Sequence, residues 1–120
     1  MPASRPGEIV SQWLDAFNRG DADAMVELYA DEAIHSSPKL RIVDPASGGR
    51  LAGKAALRRW WSDAFNRQPP MRYELVTMIE GDDVVAIEYL RHRAGEATTQ
   101  VAEVFQIHEG KIVRSNVYHG

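Results

Sequence analysis

The 120-residue chain contains no cysteine, and this absence removes several classes of chemistry at once. Disulfide bonds, thiolate nucleophiles and cysteine-ligated metal sites are all excluded, as is common for proteins of a reducing compartment. The chain also lacks a long apolar run, so neither a secretory signal nor a membrane-spanning segment is predicted. We therefore expect a cytoplasmic protein.

Positively charged residues are also outnumbered by negatively charged ones. The chain carries 14 Lys and Arg residues against 17 Asp and Glu residues, for a formal net charge of −3. No basic stripe with interleaved aromatic residues is present, which argues against nucleic acid and membrane surfaces as partners. A glycine-rich phosphate loop, a dinucleotide fingerprint and a nucleophile elbow are also missing, and the histidines lack the spacing of metal ligands. We predict chemistry without a metal or another cofactor.

The residues that are present predict one globular domain spanning 1–120. Apolar residues make up 44% of the chain and charged residues 26%, which is typical of a folded protein. Apolar residues at steps of three and four predict a first helix from Ile9 to Phe17, ended by Gly20. Asp21 then caps a second, shorter helix that runs as far as Tyr29.

Strand and loop signals follow the second helix. Residues 33–37 form a brief extended run that Pro38 ends, and residues 38–52 hold prolines, paired glycines and polar groups. We predict that 38–52 is a loop over the surface or over the mouth of a cavity. The helical period returns from Lys54 to Asn66, in a third helix that carries Trp60 and Trp61.

The second half of the chain reads as strands. Turn residues separate four of them, predicted at 71–79, 84–93, 98–108 and 111–119. Short turns favour antiparallel neighbours, so the chain is predicted to be an α+β domain with helices on one face of a curved antiparallel sheet. The opposite face of the sheet also carries small apolar residues, and we predict a homodimer through it.

Glu103 is the most informative residue of these strands. It is the only charge on one face of an alternating run that also contains Val101, Phe105 and Ile107. A buried carboxylate must be paired, neutralised or placed in a cavity, because an isolated buried anion is very costly. The pattern therefore predicts a pocket, in which Glu103 is either a neutral hydrogen-bond donor or an ionised base.

Three segments of the chain, at 13–33, 53–61 and 104–113, resemble a known superfamily. They read WLDAFNRGDADAMVELYADEA, GKAALRRWW and VFQIHEGKIV. In this order and spacing they resemble the NTF2-like superfamily, in its SnoaL-like and ketosteroid-isomerase-like branch. The resemblance implies a cone-shaped barrel in which three N-terminal helices pack on a curved antiparallel sheet around an apolar cavity, usually in a dimer.

The resemblance also places the family's functional positions on this sequence. The catalytic aspartate of ketosteroid isomerases, which precedes a proline, falls on Ser37, and the tyrosine of their oxyanion hole falls on Trp13. A serine hydroxyl group cannot take a proton from carbon without a strong base beside it. The protonated aspartate of the oxyanion hole falls on Glu103, so one signature group is retained in kind. A standard ketosteroid isomerase is not expected.

His35 is the predicted replacement for the missing base. It lies two residues before Ser37, so the two side chains share one face of a strand, and the resemblance points that face inward. In this hypothesis His35 is the general base, while Glu103 with Trp13 or Tyr89 holds the developing oxyanion. The alternatives are a histidine without function near a strand end and a buried structural hydrogen bond for Glu103.

The remaining prediction concerns the ligand and the activity. We expect a small, apolar, oxygenated molecule and proton transfer of the isomerase, hydratase, dehydratase or cyclase type. The alternative is a non-catalytic ligand-binding or dimerisation module of the same fold. The predicted ligand-binding residues are Trp13, Phe17, Ser37, Trp60, Trp61, Tyr89, Phe105, Val117 and His119.

Overall fold

The computed structural model describes residues 5–66 and 71–119, which form four α-helices and six β-strands. The helices are α1 Pro6–Arg19, α2 Ala22–Glu27, α3 Pro38–Val43 and α4 Lys54–Asn66. The strands are β1 Tyr29–Ser36, β2 Arg50–Ala52, β3 Met71–Glu80, β4 Val84–Arg93, β5 Thr99–His108 and β6 Lys111–His119. No helix within these ranges is long and apolar enough to cross a membrane.

Two predicted capping residues mark the end of α1 and the start of α2. Gly20 adopts a left-handed conformation (φ 69°) at the end of α1, which a residue without Cβ accepts at little cost. The side chain of Asp21 accepts a hydrogen bond of 3.0 Å from the backbone N–H of Ala24 and so caps α2. The predicted extension of this helix to Tyr29 is wrong, because Tyr29 is the first residue of β1.

The segment 38–52 is more ordered than the predicted loop. It contains α3, a single 3-10 turn at Pro45–Ser47 and the short strand β2. Ser37 caps α3 through its hydroxyl oxygen, which accepts a hydrogen bond of 3.2 Å from the backbone N–H of Lys39. The prolines that suggested a loop stand at the first turns of these two helical pieces, where a missing N–H is tolerated.

All six strands form one sheet in the order β2-β1-β6-β5-β4-β3. The predicted sheet of antiparallel strands is correct except at β1 and β6, which are parallel. Among the described residues β2 and β3 remain as open edges, so the sheet is not closed and the predicted barrel is wrong in that respect. The helix count also differs, since α3 adds a fourth helix to the three that were predicted.

The helices cover one face of the sheet, and the core lies between the helices and that face. Glu103 is on this inner face with Val101 and Phe105, and all three side chains are buried. The outer face leaves large apolar side chains exposed, among them Ile79 (66%) and Tyr118 (56%). A homodimer through the outer face stays a prediction.

The N-terminus of α1 is fixed to the sheet by a carboxylate from β3. Glu80 Oε2 accepts a hydrogen bond of 2.7 Å from the backbone N–H of Gly7, while Arg5 provides no side-chain cap. We expect Glu80→Ala to lower the free energy of unfolding by about 1 kcal/mol, because it removes a capping acceptor and a charge that complements the helix dipole. Urea unfolding measures this effect. Glu88→Ala, at an exposed position on β4, is the matched control, and equal losses in the two variants would contradict the prediction.

Candidate functional site

A small cavity lies between the helices and the inner face of the sheet. Its volume is about 60 Å³, enough for about four water molecules at roughly 15 Å³ each. Nine of the predicted site residues line it: Trp13, Phe17, His35, Ser37, Trp60, Trp61, Tyr89, Glu103 and Val117. The other lining residues are Lys39, Ala64, Met71, Tyr73, Arg91 and Val101.

Glu103 is the buried acid of this cavity, with 1% of its surface exposed. The Tyr89 hydroxyl group donates a hydrogen bond of 2.9 Å to Glu103 Oε1. The other oxygen, Oε2, is buried and has no hydrogen-bond partner among the described residues. Burial raises the pKa of Glu103 to about 8, although the hydrogen bond from Tyr89 opposes the rise. At neutral pH the carboxyl group is therefore mostly protonated.

Three tyrosines surround this acid. Burial first, and the charge of Glu103 second, raise the pKa values of Tyr29, Tyr73 and Tyr89. All three phenols therefore keep their protons at neutral pH, and Tyr89 remains a hydrogen-bond donor toward Glu103.

A chain of hydrogen bonds connects Trp13 to His35 across the floor of the cavity. The indole N–H of Trp13 donates to the Tyr29 hydroxyl oxygen at 3.1 Å. Tyr29 Oη lies 3.0 Å from Ser115 Oγ, and Ser115 Oγ lies 2.7 Å from His35 Nδ1. These side chains are buried. The parallel pairing of β1 with β6 places His35 opposite Ser115 and so closes the chain.

The direction of these hydrogen bonds determines which His35 nitrogen carries the proton. Among the described residues, the only available acceptor for the Tyr29 hydroxyl hydrogen is Ser115 Oγ, because Trp13 is itself a donor. Ser115 must then donate to His35 Nδ1 if no buried hydroxyl hydrogen is to be left unused. Burial lowers the pKa of His35 to about 4, so the ring is neutral at pH 7. Nδ1 is the acceptor, and Nε2 carries the hydrogen.

We expect the direction of these hydrogen bonds to determine the tautomer of the His35 ring, which can be measured. The neutral Nε2–H form should dominate at pH 7, and Ser115→Ala should remove the preference because Nδ1 loses its donor. Nitrogen-15 chemical shifts of the imidazole ring measure the tautomer. Ser36→Ala, on the other face of β1, is the matched control and should change nothing. A predominant Nδ1–H form in the unmodified chain would contradict the direction derived for the hydrogen bonds.

The predicted oxyanion donors are already in use. The Trp13 N–H is bonded to Tyr29, and the Tyr89 hydroxyl group is bonded to Glu103. Neither donor is available to a ligand without breaking a buried hydrogen bond, whereas His35 Nε2 makes no hydrogen bond with any described residue. Of Trp13, Tyr89 and His35, it is therefore His35 that can offer a donor to the cavity.

The predicted aromatic residues differ in how far they are buried and in whether they line the cavity. Trp61 is 3% exposed and packs with its ring 5.2 Å from Tyr29 and 5.3 Å from His35, whereas Trp60 is only half-buried. Phe105 is not among the residues that line the cavity, because it packs edge-on against Trp13 in the core, 5.0 Å between ring centroids. The side chain of His119 lies outside the described part of the chain.

Sequence reasoning did not identify Tyr29, Ser115 or Arg91 as functional residues. Tyr29 was assigned to a helix because its spacing from Met25 matches the helical period. Ser115 shares the inner face of β6 with Val117, but its parallel partner on β1 involves a long-range pairing. Arg91 could have been found, because it lies two residues after Tyr89 and the alternation of a strand puts both on one face.

The described residues contain no group of three or more His, Asp or Glu side chains able to hold a metal ion. Within residues 5–66 and 71–119, Glu103 is the cavity group whose pKa lies near neutral pH, while the neutral ring of His35 can donate a hydrogen bond from Nε2.

Comparison with known proteins agrees with this architecture. The SnoaL-like domain family matches residues 10–115, and no curated protein matches the chain in sequence. A SnoaL-like protein of unknown function from Burkholderia thailandensis is 28% identical, with a TM-score of 0.82 over 95% of this chain and 93% of that one.

Two similar structures carry enzyme names. A candidate polyketide cyclase from Sinorhizobium meliloti is 23% identical, with a TM-score of 0.77 over 92% of this chain and 94% of that one. A candidate ketosteroid isomerase from Kribbella flavida is 12% identical, with a TM-score of 0.77 over 94% of this chain and 76% of that one. These two likenesses concern the fold alone. The match over residues 10–115 shows that the chain belongs to the SnoaL-like domain family of the NTF2-like superfamily.

Proposed function

We propose that this protein is a cofactor-independent enzyme that moves a proton at a carbon atom next to a carbonyl group of a small substrate. One observation carries the proposal: a buried carboxyl group with one unpartnered oxygen, Glu103 Oε2, lines the same cavity as the neutral ring of His35. Unpartnered buried oxygens are rare and need a reason, and a ligand that supplies the missing contact is such a reason.

Glu103 is the better base of the two. A general base works best when its pKa is close to the pH at which it operates, and the pKa of Glu103 is about 8 whereas that of His35 is about 4. At pH 7 about a tenth of Glu103 is ionised. These values favour the hypothesis in which Glu103 is the base over the one in which His35 is.

In this proposal His35 binds the carbonyl oxygen of the substrate. Its neutral Nε2–H donates a hydrogen bond to the carbonyl oxygen of the substrate and stabilises the negative charge that develops there, because a neutral imidazole can polarise a carbonyl group. The ring is fixed for this task by Ser115 at Nδ1. The hydrogen bond from Tyr89 fixes the Glu103 carboxyl group in the same way.

The proposed reaction moves one proton and one electron pair and needs only the substrate and Glu103. The Glu103 carboxylate takes a proton from the carbon atom, and the C–H electron pair moves into the carbon skeleton to give an enolate. Glu103 returns the proton to a different carbon or to the oxygen, which completes an isomerisation without an oxidant or a co-reactant.

The positions of the two residues leave room for such a substrate. His35 and Glu103 lie two strands apart and two residues out of line in the sheet, paired respectively with Ser115 and Val117 on β6. At ordinary sheet spacings their Cα atoms are roughly 12 Å apart. The two side chains therefore reach the cavity at separate points of the same sheet face, and a small molecule between them can contact both.

Exchange with deuterium tests the proposal whatever the final product of the reaction is. The protein is incubated in deuterated buffer with 2-oxobutyrate, 4-oxopentanoate, cyclohexanone and 1-tetralone, and proton NMR follows the loss of the signal next to each carbonyl group. We expect faster exchange in at least one compound and loss of the acceleration in Glu103→Gln. Binding without any accelerated exchange would favour the alternative function, a ligand-binding module without chemistry.

A further inference from the structure

The charged groups of the cavity are unevenly balanced. Lys39 and Arg91 line it as cations, and Glu103 is its only acidic side chain among the described residues. Because burial raises the pKa of Glu103 to about 8, this acid does not neutralise Arg91 at pH 7. A cavity wall that combines the Arg91 cation with a mostly protonated acid attracts an anion.

Arg91 donates a side-chain hydrogen bond to a weak acceptor. Its Nε–H donates to the Met71 sulfur at 3.1 Å, and a thioether is a weak acceptor. Arg91 forms no ion pair with any carboxylate in the described part of the chain, although five such contacts involve other Lys or Arg residues there. The terminal nitrogens of its guanidinium group are therefore available to an acceptor from outside the chain.

Arg93 provides a second guanidinium group next to Arg91. It lies two residues after Arg91 on the same face of β4, and its Nε and Nη2 atoms are buried without a hydrogen-bond partner among the described residues. Its one ionic contact, to Glu96, is long at 3.6 Å. The charges of Arg91 and Arg93 both act on the phenol of Tyr73 and oppose the rise in its pKa. The two guanidinium groups thus lie on one face of β4 and, within the described part of the chain, have a single carboxylate contact between them, that of Arg93 with Glu96.

From this arrangement we infer that the substrate of the cavity carries a carboxylate group, which Arg91 binds with Arg93 beside it. A guanidinium group matches a carboxylate with two parallel hydrogen bonds. Arg91 and Tyr89 share one face of β4, so a carboxylate on Arg91 leaves the rest of a small molecule beside Tyr89 and Glu103. Together with the proposed function, on which this inference rests, the substrate class is a small oxo acid.

The size of the cavity agrees with this class. A volume of about 60 Å³ is well below that of common drug-sized pockets, which hold several hundred Å³. A large polycyclic substrate would require side chains of the cavity wall to move, whereas a short oxo acid requires much less displacement.

Binding of matched acids and amides tests the inference apart from catalysis. Butyrate and benzoate are titrated against butyramide and benzamide, and the fluorescence of the cavity tryptophans and amide NMR shifts give each Kd. We expect each acid to bind more tightly than its amide. Arg91→Met should weaken the acids about 10- to 100-fold and change the amides less than about twofold, as loss of a charge-assisted hydrogen bond implies. Arg72→Met, exposed on β3, is the control and should change neither.

The outcomes separate this inference from the proposed function. Equal binding of acids and amides, no binding of either acid, or an unchanged preference in Arg91→Met would overturn the carboxylate site. If neutral ketones exchange deuterium while the acids show no preference, only the carboxylate inference fails. If the acids bind through Arg91 but no oxo acid exchanges, only the proposed proton transfer fails.

Discussion

Glu103→Gln is expected to lower turnover by about 10²- to 10⁴-fold, the usual contribution of a positioned general base. The substitution keeps the size of the side chain and an oxygen that can accept the Tyr89 hydrogen bond, but glutamine cannot take up a proton. The cavity therefore keeps its shape and its ligand, and mainly the chemical step is lost. Rates of deuterium exchange, with the Kd measured on the same samples, separate the two effects.

The control for this variant lies on the next strand. Glu88→Gln changes an exposed carboxylate on the other face of β4, opposite Ala102, and should leave the exchange rate within about twofold, as expected of a surface change. A Glu103→Gln variant that still exchanges at the rate of the unmodified protein would exclude Glu103 as the base.

The second large effect is on stability as a function of pH. The pKa of Glu103 is about 8 in the folded chain against an ordinary value of 4.5. The folded state therefore holds a proton that the unfolded state loses between these pH values, and stability falls as pH rises through that window. The loss amounts to about 5 kcal/mol when the window is crossed completely.

His35 acts in the opposite direction over a lower range. Its pKa is about 4 in the folded chain against an ordinary value of 6.5, so the stability it contributes is present above pH 6.5 and is lost as pH falls toward 4. That loss is about 3 kcal/mol. Between pH 4.5 and 6.5 the two effects nearly cancel, and from pH 6.5 to 8 Glu103 alone lowers the stability by about 2 kcal/mol.

Urea unfolding at a series of pH values measures this dependence. Exposed carboxylates contribute equally to the unmodified chain and to Glu103→Gln, so the difference between the two isolates Glu103. The stability of the variant relative to the unmodified chain should rise steadily between pH 4.5 and 8. A difference that stays constant over this interval would mean that Glu103 has an ordinary pKa.

The features that could be predicted from the sequence were those fixed by local periodicity. Alternation in the third of the four late strands placed Glu103 among buried apolar neighbours, and the glycine after Arg19 ended α1 where a left-handed residue was needed. Helix α4 begins and ends at the predicted residues, Lys54 and Asn66. In these cases the pattern and the environment of the residue depend on the same few neighbours.

What could not be predicted depends on pairing between distant segments. The hydrogen bonds between Tyr29, Ser115 and His35 exist because β1 pairs in parallel with β6, and residue spacing does not determine that register. The same chain of bonds occupies the Trp13 N–H, which the sequence had left as an oxyanion donor. Segment 38–52 was misjudged because prolines fit the first turn of a helix as well as a loop.

The protonation of Glu103 is the most direct test of the mechanism as a whole, because base, cavity charge and pH dependence all follow from it. Carbon-13 NMR of the side-chain carboxyl carbon, assigned by its disappearance in Glu103→Gln, measures the titration in the folded protein. A midpoint near pH 8 is the result expected from burial of this group. A midpoint near the ordinary value of 4.5 would show a carboxylate ionised at neutral pH, and it would contradict both the pKa match by which Glu103 was chosen as the base and the positive charge of the cavity wall at Arg91.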